Sequence, residues 1–117
     1  MKKGKLINSF RYAFAGIFFC LRYERNVKIH CLAACIVSFL GFYFHVTKTE
    51  WLILLLTIGI VFALELVNTA VEKTVDLVTM DVKPLAKIAK DAAAGAVLFF
   101  SIIAVVIGAI IFGPYMI

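Results

Sequence analysis

The sequence predicts an all-α membrane protein with an N-terminal amphipathic surface helix and three transmembrane helices. Hydrophobic residues make up 64% of the 117 residues and charged residues only 16%, whereas soluble domains carry about 25% charged residues. Three apolar stretches, 29–46, 51–71 and 92–117, match or approach the roughly 20 residues that a helix needs to cross a bilayer. The length allows one domain, residues 1–117.

The distribution of basic residues predicts the orientation in the membrane. Eleven of the 12 Lys and Arg residues lie in 1–28 or 73–90. The positive-inside rule therefore places these two segments in the cytoplasm, and the 45–50 turn and the C-terminus outside. In a soluble protein a net charge of +5 would suggest nucleic acid, but here the basic residues suit membrane topology, anionic lipid and phosphorylated ligands. We expect a multi-pass membrane protein with no nucleic-acid partner; the resemblance described below implies the bacterial cytoplasmic membrane as its location.

Residues 5–25 predict the surface helix. At about 100° per residue one apolar stripe forms, and it comprises Leu6, Phe10, Ala13, Phe14, Ile17 and Leu21. Glu24 projects onto this stripe, beneath Ile17 and Leu21. A carboxylate on that face requires a partner.

The three spanning helices are predicted at about 28–46, 51–80 and 85–113. The second begins with Trp51, as expected for an aromatic residue at the outer interface. It continues beyond the membrane as a cytoplasmic extension, because no Pro or Gly lies between Ile60 and Pro84.

The histidines and cysteines are interpreted as structural residues. His30 and His45 lie near the ends of the first span, where a lone His is more often interfacial than a metal ligand. The three cysteines, Cys20, Cys31 and Cys35, form no C-x-x-C motif and are odd in number. We interpret them as small apolar residues.

An acidic column follows the second span. On a helical wheel Glu65, Glu72 and Asp76 share one stripe with Asn68. Carboxylates this close repel one another and lose solvation at membrane depth, so a divalent metal ion or Lys must compensate. At the start of the third helix, Lys87, Lys90 and Asp91 share one face above Ala94, and the small residues 92–96 predict close approach to the second helix.

This set of groups suits phosphoryl transfer to a lipid. Glu65 is placed to take a proton from a lipid hydroxyl, and Glu72 and Glu24 offer oxygen ligands to Mg²⁺. Lys90 can neutralise charge on the transferred phosphoryl group of ATP. The sequence has no P-loop and no G-x-G-x-x-G motif, so helix surfaces must form any ATP site. The structural alternative is that Glu65, Asn68 and Glu72 only hold helices together by hydrogen bonding and carry out no chemistry.

Two segments carry a resemblance to a known family. "ELVNTAVEKTVDL" and "KPLAKIAKDAAAGAV" resemble the signature of the prokaryotic diacylglycerol kinase and undecaprenol kinase family. The likeness extends over nearly the whole chain, from "RYAFAGI" and "ERNVKIH" onward. It implies a homotrimer with active sites between subunits, ATP as co-substrate and Mg²⁺ as cofactor.

The resemblance also implies roles for individual residues. Glu65 corresponds to the general base, and Glu24 and Glu72 to metal ligands that also contact ATP; Glu24 is expected to meet the other two across a subunit boundary. Further ATP contacts are implied at Lys5, Tyr12, Asp81, Lys83, Lys90 and Asp91. Residues that support the site or bind lipid are implied at Asn68, Asp76 and Ala94. Two departures bear on ATP contact: Lys83 replaces a His of many relatives, and Lys5 replaces an Arg of some.

Several functions stay open at this point. "ERNVKIH" and "KPLAKIAKD" are more similar to the Gram-positive branch, which implies undecaprenol as acceptor and undecaprenyl phosphate as product. Diacylglycerol, giving phosphatidic acid, is the alternative. A small membrane proton relay or transporter subunit is a different class, although a relay should cross the bilayer and these acids cluster on its cytoplasmic side. A purely structural subunit is the third possibility.

Overall fold

The computed structural model describes residues 5–117 and consists of four helices. These are α1 (Leu6–Tyr23), α2 (Arg25–Tyr43), α3 (Lys48–Val78) and α4 (Pro84–Met116). The helices α2, α3 and α4 are long and apolar enough to cross a membrane. The predicted all-α class with three membrane spans is therefore confirmed.

A single residue, Glu24, joins α1 to α2. Its backbone is extended (φ −96°, ψ 117°), its N–H donates to the Cys20 carbonyl at 3.0 Å, and its own carbonyl accepts from the Lys28 N–H. The prediction that the surface helix runs to residue 25, with Glu24 on its apolar stripe, is wrong. No Gly or Pro marks this break; the packing of α1 against both α2 and α3 redirects the chain instead.

A capping box fixes the start of α3. The Thr47 hydroxyl accepts from the Glu50 N–H at 3.1 Å, and the Glu50 carboxylate accepts from the Thr47 N–H at 2.9 Å. The helix therefore begins three residues before the predicted Trp51. The signal is present in the sequence as Thr-x-x-Glu, the pattern of a capping box.

The other end of α3 lies two residues before the predicted residue 80. Thr79 is extended, and its hydroxyl accepts a hydrogen bond from the Asp81 N–H at 3.0 Å. This local bond gives the backbone an alternative to another helical turn. The short loop then leads to Pro84, whose fixed φ suits the first position of α4.

α2 and α3 are in close contact where Gly41 lies against the indole of Trp51, so a Cβ built on Gly41 would come within 2.6 Å of the ring. Eleven residues from this contact along each helix, the His30 ring packs edge-on against Phe62 with centroids 6.5 Å apart. A small apolar cluster lies near the Gly41–Trp51 end of the bundle and comprises Val46, Leu54, Ile111 and Phe112.

α3 and α4 form the most extensive helix pair and run antiparallel. At one end of the pair the Tyr115 hydroxyl donates to the Glu50 carboxylate at 2.5 Å. At the other end the Lys90 ammonium donates to the Asp76 carboxylate at 2.6 Å. These two contacts fix the register of the pair along most of its length.

The small residues of α4 do not form the predicted close contact. Ala94 and Gly95 are exposed, and a Cβ added to Gly95 meets no atom of residues 5–117 within 4 Å. Val97 is the buried residue at this level. α4 also continues past the predicted residue 113, with Pro114 in its last turn.

Candidate active site

The polar face of α3 is buried at its centre. Glu65 is only 2% exposed, and Asn68 and Thr69 are also buried. Glu72 and Asp76, on the following turns, are half-buried. Because side chains three and four positions apart lie on the same helix face, the acids form the column that the helical wheel predicts.

Three titratable groups lie within electrostatic range of the Glu65 carboxyl: His30, Glu72 and Glu24. Glu24 reaches this position from the junction of α1 and α2. It therefore lies near Glu65 within one chain, whereas the resemblance implied a meeting across a subunit boundary. The Asn68 amide also lies beside Glu65, and its Oδ1 has no hydrogen-bond partner among residues 5–117.

The three glutamates have no cationic partner of their own within the described part of the chain. The ion pairs there join Lys87 to Asp91 and Lys90 to Asp76. Neighbouring carboxylates repel when all are ionised. The group therefore favours binding of an external cation.

Glu24 and Glu72 offer the kind of ligands that Mg²⁺ uses. Within residues 5–117 no three His, Cys, Asp or Glu side chains form a protein-only metal site. Mg²⁺ does not require one, because it is usually held by one or two carboxylates together with substrate phosphates and water. Two glutamates thus fit this ion in their number and in their oxygen chemistry.

Lys90 joins the acidic column, whereas Asp91 does not. Lys90 and Asp76 form an ion pair whose side chains are 39% and 37% exposed. Asp91 instead pairs with Lys87 on the open surface of α4, at 2.5 Å. Lys90 is therefore a basic group beside the acidic column, and its partly exposed side chain remains accessible to a ligand.

The other predicted nucleotide contacts lie at exposed positions. Lys5 precedes α1, Tyr12 lies on α1, and Asp81 and Lys83 lie in the loop before α4. Within residues 5–117, no side-chain hydrogen bond or ion pair joins these residues to the acidic column. Ala94, implied as a supporting residue, is exposed on α4.

An apolar groove of about 320 Å³ lies between α2, α3 and α4; we call it the α2–α3–α4 groove. Three of its lining side chains are polar, namely His30, Thr57 and Ser101. The apolar residues that line it are Ala33, Ala34, Val37, Leu40, Leu54, Ile58, Val61, Phe62, Ala104, Val105, Gly108 and Phe112.

His30 and Ser101 were missed as site residues in the sequence. His30 was interpreted as interfacial, but it faces α3 and lines the groove. Its signal was the stripe that it forms with Ala33, Ala34 and Val37 at positions i+3, i+4 and i+7. For Ser101 the signal was a hydroxyl inside an otherwise apolar span.

A second cleft, of about 350 Å³, lies between α1 and α3. Small side chains from both helices line it, including Ala13, Gly16 and Ala70. The Lys73 ammonium lies 5.8 Å from the centre of the Phe19 ring and so links the two helices. This cleft adjoins Tyr12 in the sequence and lies on the half of α3 that carries Glu72 and Asp76.

Comparison with known proteins identifies the family. Residues 11–112 match the prokaryotic diacylglycerol kinase family. The chain belongs to this family. An undecaprenol kinase of Bacillus subtilis (strain 168) is 50% identical over 110 residues, which cover 94% of this chain and 89% of the relative.

Two diacylglycerol kinases are also similar to this kinase. The protein of Synechocystis sp. (strain ATCC 27184 / PCC 6803 / Kazusa) is 43% identical over 93% of this chain and 63% of its own length. The protein of Haemophilus influenzae (strain ATCC 51907 / DSM 11121 / KW20 / Rd) is 34% identical over 92% of both chains.

Family membership gives the general activity. The chain is a lipid kinase, and its reaction depends on a nucleotide. Its three apolar helices and its family together indicate a multi-pass protein of the plasma membrane.

Proposed function

We propose that this kinase transfers the γ-phosphate of ATP to the hydroxyl of undecaprenol and forms undecaprenyl phosphate. The observation that carries the proposal is the position of Glu65, buried near the α2–α3–α4 groove. The choice of undecaprenol rests on the Bacillus subtilis relative, which is more similar to this chain than the two diacylglycerol kinases reported above. Diacylglycerol is the alternative acceptor.

Glu65 acts as the general base in this proposal. Its carboxylate accepts the proton of the lipid hydroxyl as the oxygen attacks the γ-phosphorus. The bond between that phosphorus and the β,γ-bridging oxygen breaks, and ADP leaves. The Asn68 amide beside Glu65 keeps the carboxylate oriented.

Basic and acidic groups on the cytoplasmic side hold the nucleotide in this proposal. Lys90 contacts the transferred phosphate, and Glu24 and Glu72 hold Mg²⁺. When bound, Mg²⁺ supplies charge neutralisation between nucleotide phosphates. Further nucleotide contacts are proposed at Lys5, Tyr12, Asp81, Lys83 and Asp91, all of which are exposed and could approach a ligand.

The proposed orientation places the N-terminus and the active site in the cytoplasm and the C-terminus outside, since basic residues flank the inner ends of the spans. α1 lies on the inner membrane surface as an amphipathic helix, with exposed Phe10 and Phe14 toward lipid. We further propose a homotrimer, with Asp76 and Ala94 among the residues that support each site.

A competition assay tests the proposed acceptor. Purified protein in mixed micelles receives labelled ATP, Mg²⁺ and equal mole fractions of undecaprenol and diacylglycerol, and lipid chromatography separates the products. Labelled undecaprenyl phosphate as the main product supports the proposal. Phosphatidic acid as the main product replaces undecaprenol by diacylglycerol. No labelled lipid, from protein shown to be folded, contradicts the proposal.

A further inference from the structure

Ser101 lies at the same membrane depth as Glu65. Asp76 and Lys90 are in contact, and eleven residues outward from this contact lie Glu65 on α3 and Ser101 on α4. The contact of Glu50 with Tyr115 gives a second reference level. At 1.5 Å per residue, Glu65 lies about 22 Å along α3 from Glu50, and Ser101 lies about 21 Å along α4 from Tyr115. Both contacts therefore place Glu65 and Ser101 at the same level of the helix pair.

The Ser101 hydroxyl has no hydrogen-bond partner among residues 5–117, and its oxygen is buried. A Ser or Thr inside a helix usually bonds to the carbonyl four residues earlier. Thr57, in the same groove, follows this rule and donates to the Ile53 carbonyl at 2.7 Å. Ser101 is thus a buried polar group with unused hydrogen-bonding capacity, which is a costly arrangement in an apolar environment.

The side of the groove on which Ser101 lies also carries His30. Because Gly41 lies against Trp51 and His30 against Phe62, α2 and α3 keep one register over these eleven residues. Phe62 is three residues from Glu65, so His30 lies about one helical turn from the carboxylate. His30 on α2 and Ser101 on α4 thus line the α2–α3–α4 groove near the level of Glu65 on α3.

We propose that Ser101 is a substrate-binding residue for the hydroxyl of the lipid alcohol, with the hydrocarbon chain of that alcohol lying along the groove. This inference rests on the proposed function. A primary alcohol has one hydrogen to donate and two lone pairs. Its hydrogen goes to Glu65, one lone pair accepts the Ser101 O–H, and the other lone pair faces the γ-phosphorus. Ser101 thus fixes the direction of attack and takes no proton from the substrate.

The groove suits this occupant by its size and chemistry. A volume of about 320 Å³ lies at the lower limit of the roughly 300–1,000 Å³ typical of ligand pockets. It accommodates part of one hydrocarbon chain, and the rest of a long polyprenol would extend into the bilayer. Apart from Ser101, the polar side chains of the lining are His30 and Thr57, and the Thr57 hydroxyl already donates to the Ile53 carbonyl.

The variant Ser101→Ala tests the contact, with Thr57→Val as the matched control. Each change removes one hydroxyl from the same groove, but Thr57 lies about 12 Å from the level of Glu65 along α3. We expect Ser101→Ala to lower kcat/KM for the lipid alcohol about three- to tenfold, the effect of losing one neutral hydrogen bond. The KM for ATP should stay unchanged and Ser101→Thr should retain activity. Thr57→Val should lower kcat/KM for the lipid alcohol less than Ser101→Ala does, because the Thr57 hydroxyl is already bonded to the Ile53 carbonyl.

A binding measurement without nucleotide separates this inference from the proposed function. Farnesol and farnesene, which differ by the hydroxyl, are titrated into the wild type and into Ser101→Ala. Weaker binding of farnesol with unchanged binding of farnesene supports the contact, even if the wild type phosphorylates no lipid alcohol and the proposed function fails. Unchanged kcat/KM and farnesol affinity in Ser101→Ala, or equal losses in Ser101→Ala and Thr57→Val, overturn it.

Discussion

The contact of Gly41 with Trp51 sets how α2 lies on α3, and Gly41→Ala tests it. The Cβ of an alanine would lie 2.6 Å and 2.7 Å from two carbons of the indole ring, and 3.2 Å from a third. Favourable contacts between carbon atoms are about 3.5–4.0 Å. The indole is rigid, so either the ring or the α2 backbone must move by about 1 Å to restore such a distance.

The expected cost follows from two opposing effects. Overpacking a closely packed site costs about 1–3 kcal/mol. Alanine is favoured over glycine inside a helix by roughly 0.5–1 kcal/mol, which offsets part of that cost. We therefore expect Gly41→Ala to lower the free energy of unfolding by about 1–2 kcal/mol, as the balance of these two terms.

The free energy of unfolding is measured by titrating SDS into protein held in mixed micelles. Gly59→Ala is the matched control, because a Cβ there meets no described atom within 4 Å. Only the preference of alanine over glycine inside a helix should then act, so this variant should equal or exceed the wild type in stability. Removing the indole by Trp51→Leu should cost less in the Gly41→Ala background than in the wild type. A Gly41→Ala protein as stable as Gly59→Ala would refute the reasoning.

Two further predictions concern the nucleotide side of the site. Glu24→Gln and Glu72→Gln should each raise the Mg²⁺ concentration needed for half-maximal activity, because each removes an anionic oxygen ligand; unchanged Mg²⁺ titrations in both would argue against metal binding there. Lys90→Ala should raise the KM for ATP at least about tenfold, since a hydrogen bond to a charged group is lost. Lys87→Ala should raise the KM for ATP less than Lys90→Ala does, because Lys87 pairs among residues 5–117 with exposed Asp91 and not with the acidic column, and equal effects of both lysines would contradict the assignment.

Hydropathy and helical period predicted the parts of the molecule that depend on one helix at a time. The three spans follow from the length of the apolar stretches, and the acidic column follows from the spacing of Glu65, Glu72 and Asp76. The start of α3 could also be predicted from the sequence, because Thr47 and Glu50 match the Thr-x-x-Glu pattern of a capping box.

Features that depend on how two helices meet could not be predicted in this way. The break at Glu24 has no Gly or Pro to mark it and depends on the packing of α1. The exposure of Gly95 depends on which face of α4 meets α3. Ser101 and His30 share the groove because of interhelical register, which a helical wheel for a single segment does not contain.

The central claim, that buried Glu65 is the base of a lipid kinase, is tested most directly by the rate of Glu65→Gln. This variant keeps the size of the side chain and removes its ability to accept a proton. Lipid phosphorylation is measured with saturating ATP, Mg²⁺ and undecaprenol, on protein whose unfolding and elution match the wild type. General-base catalysis contributes about 10²–10⁴-fold, so we expect kcat to fall at least about 100-fold. A kcat within about tenfold of the wild type, below that range, would contradict the role of Glu65.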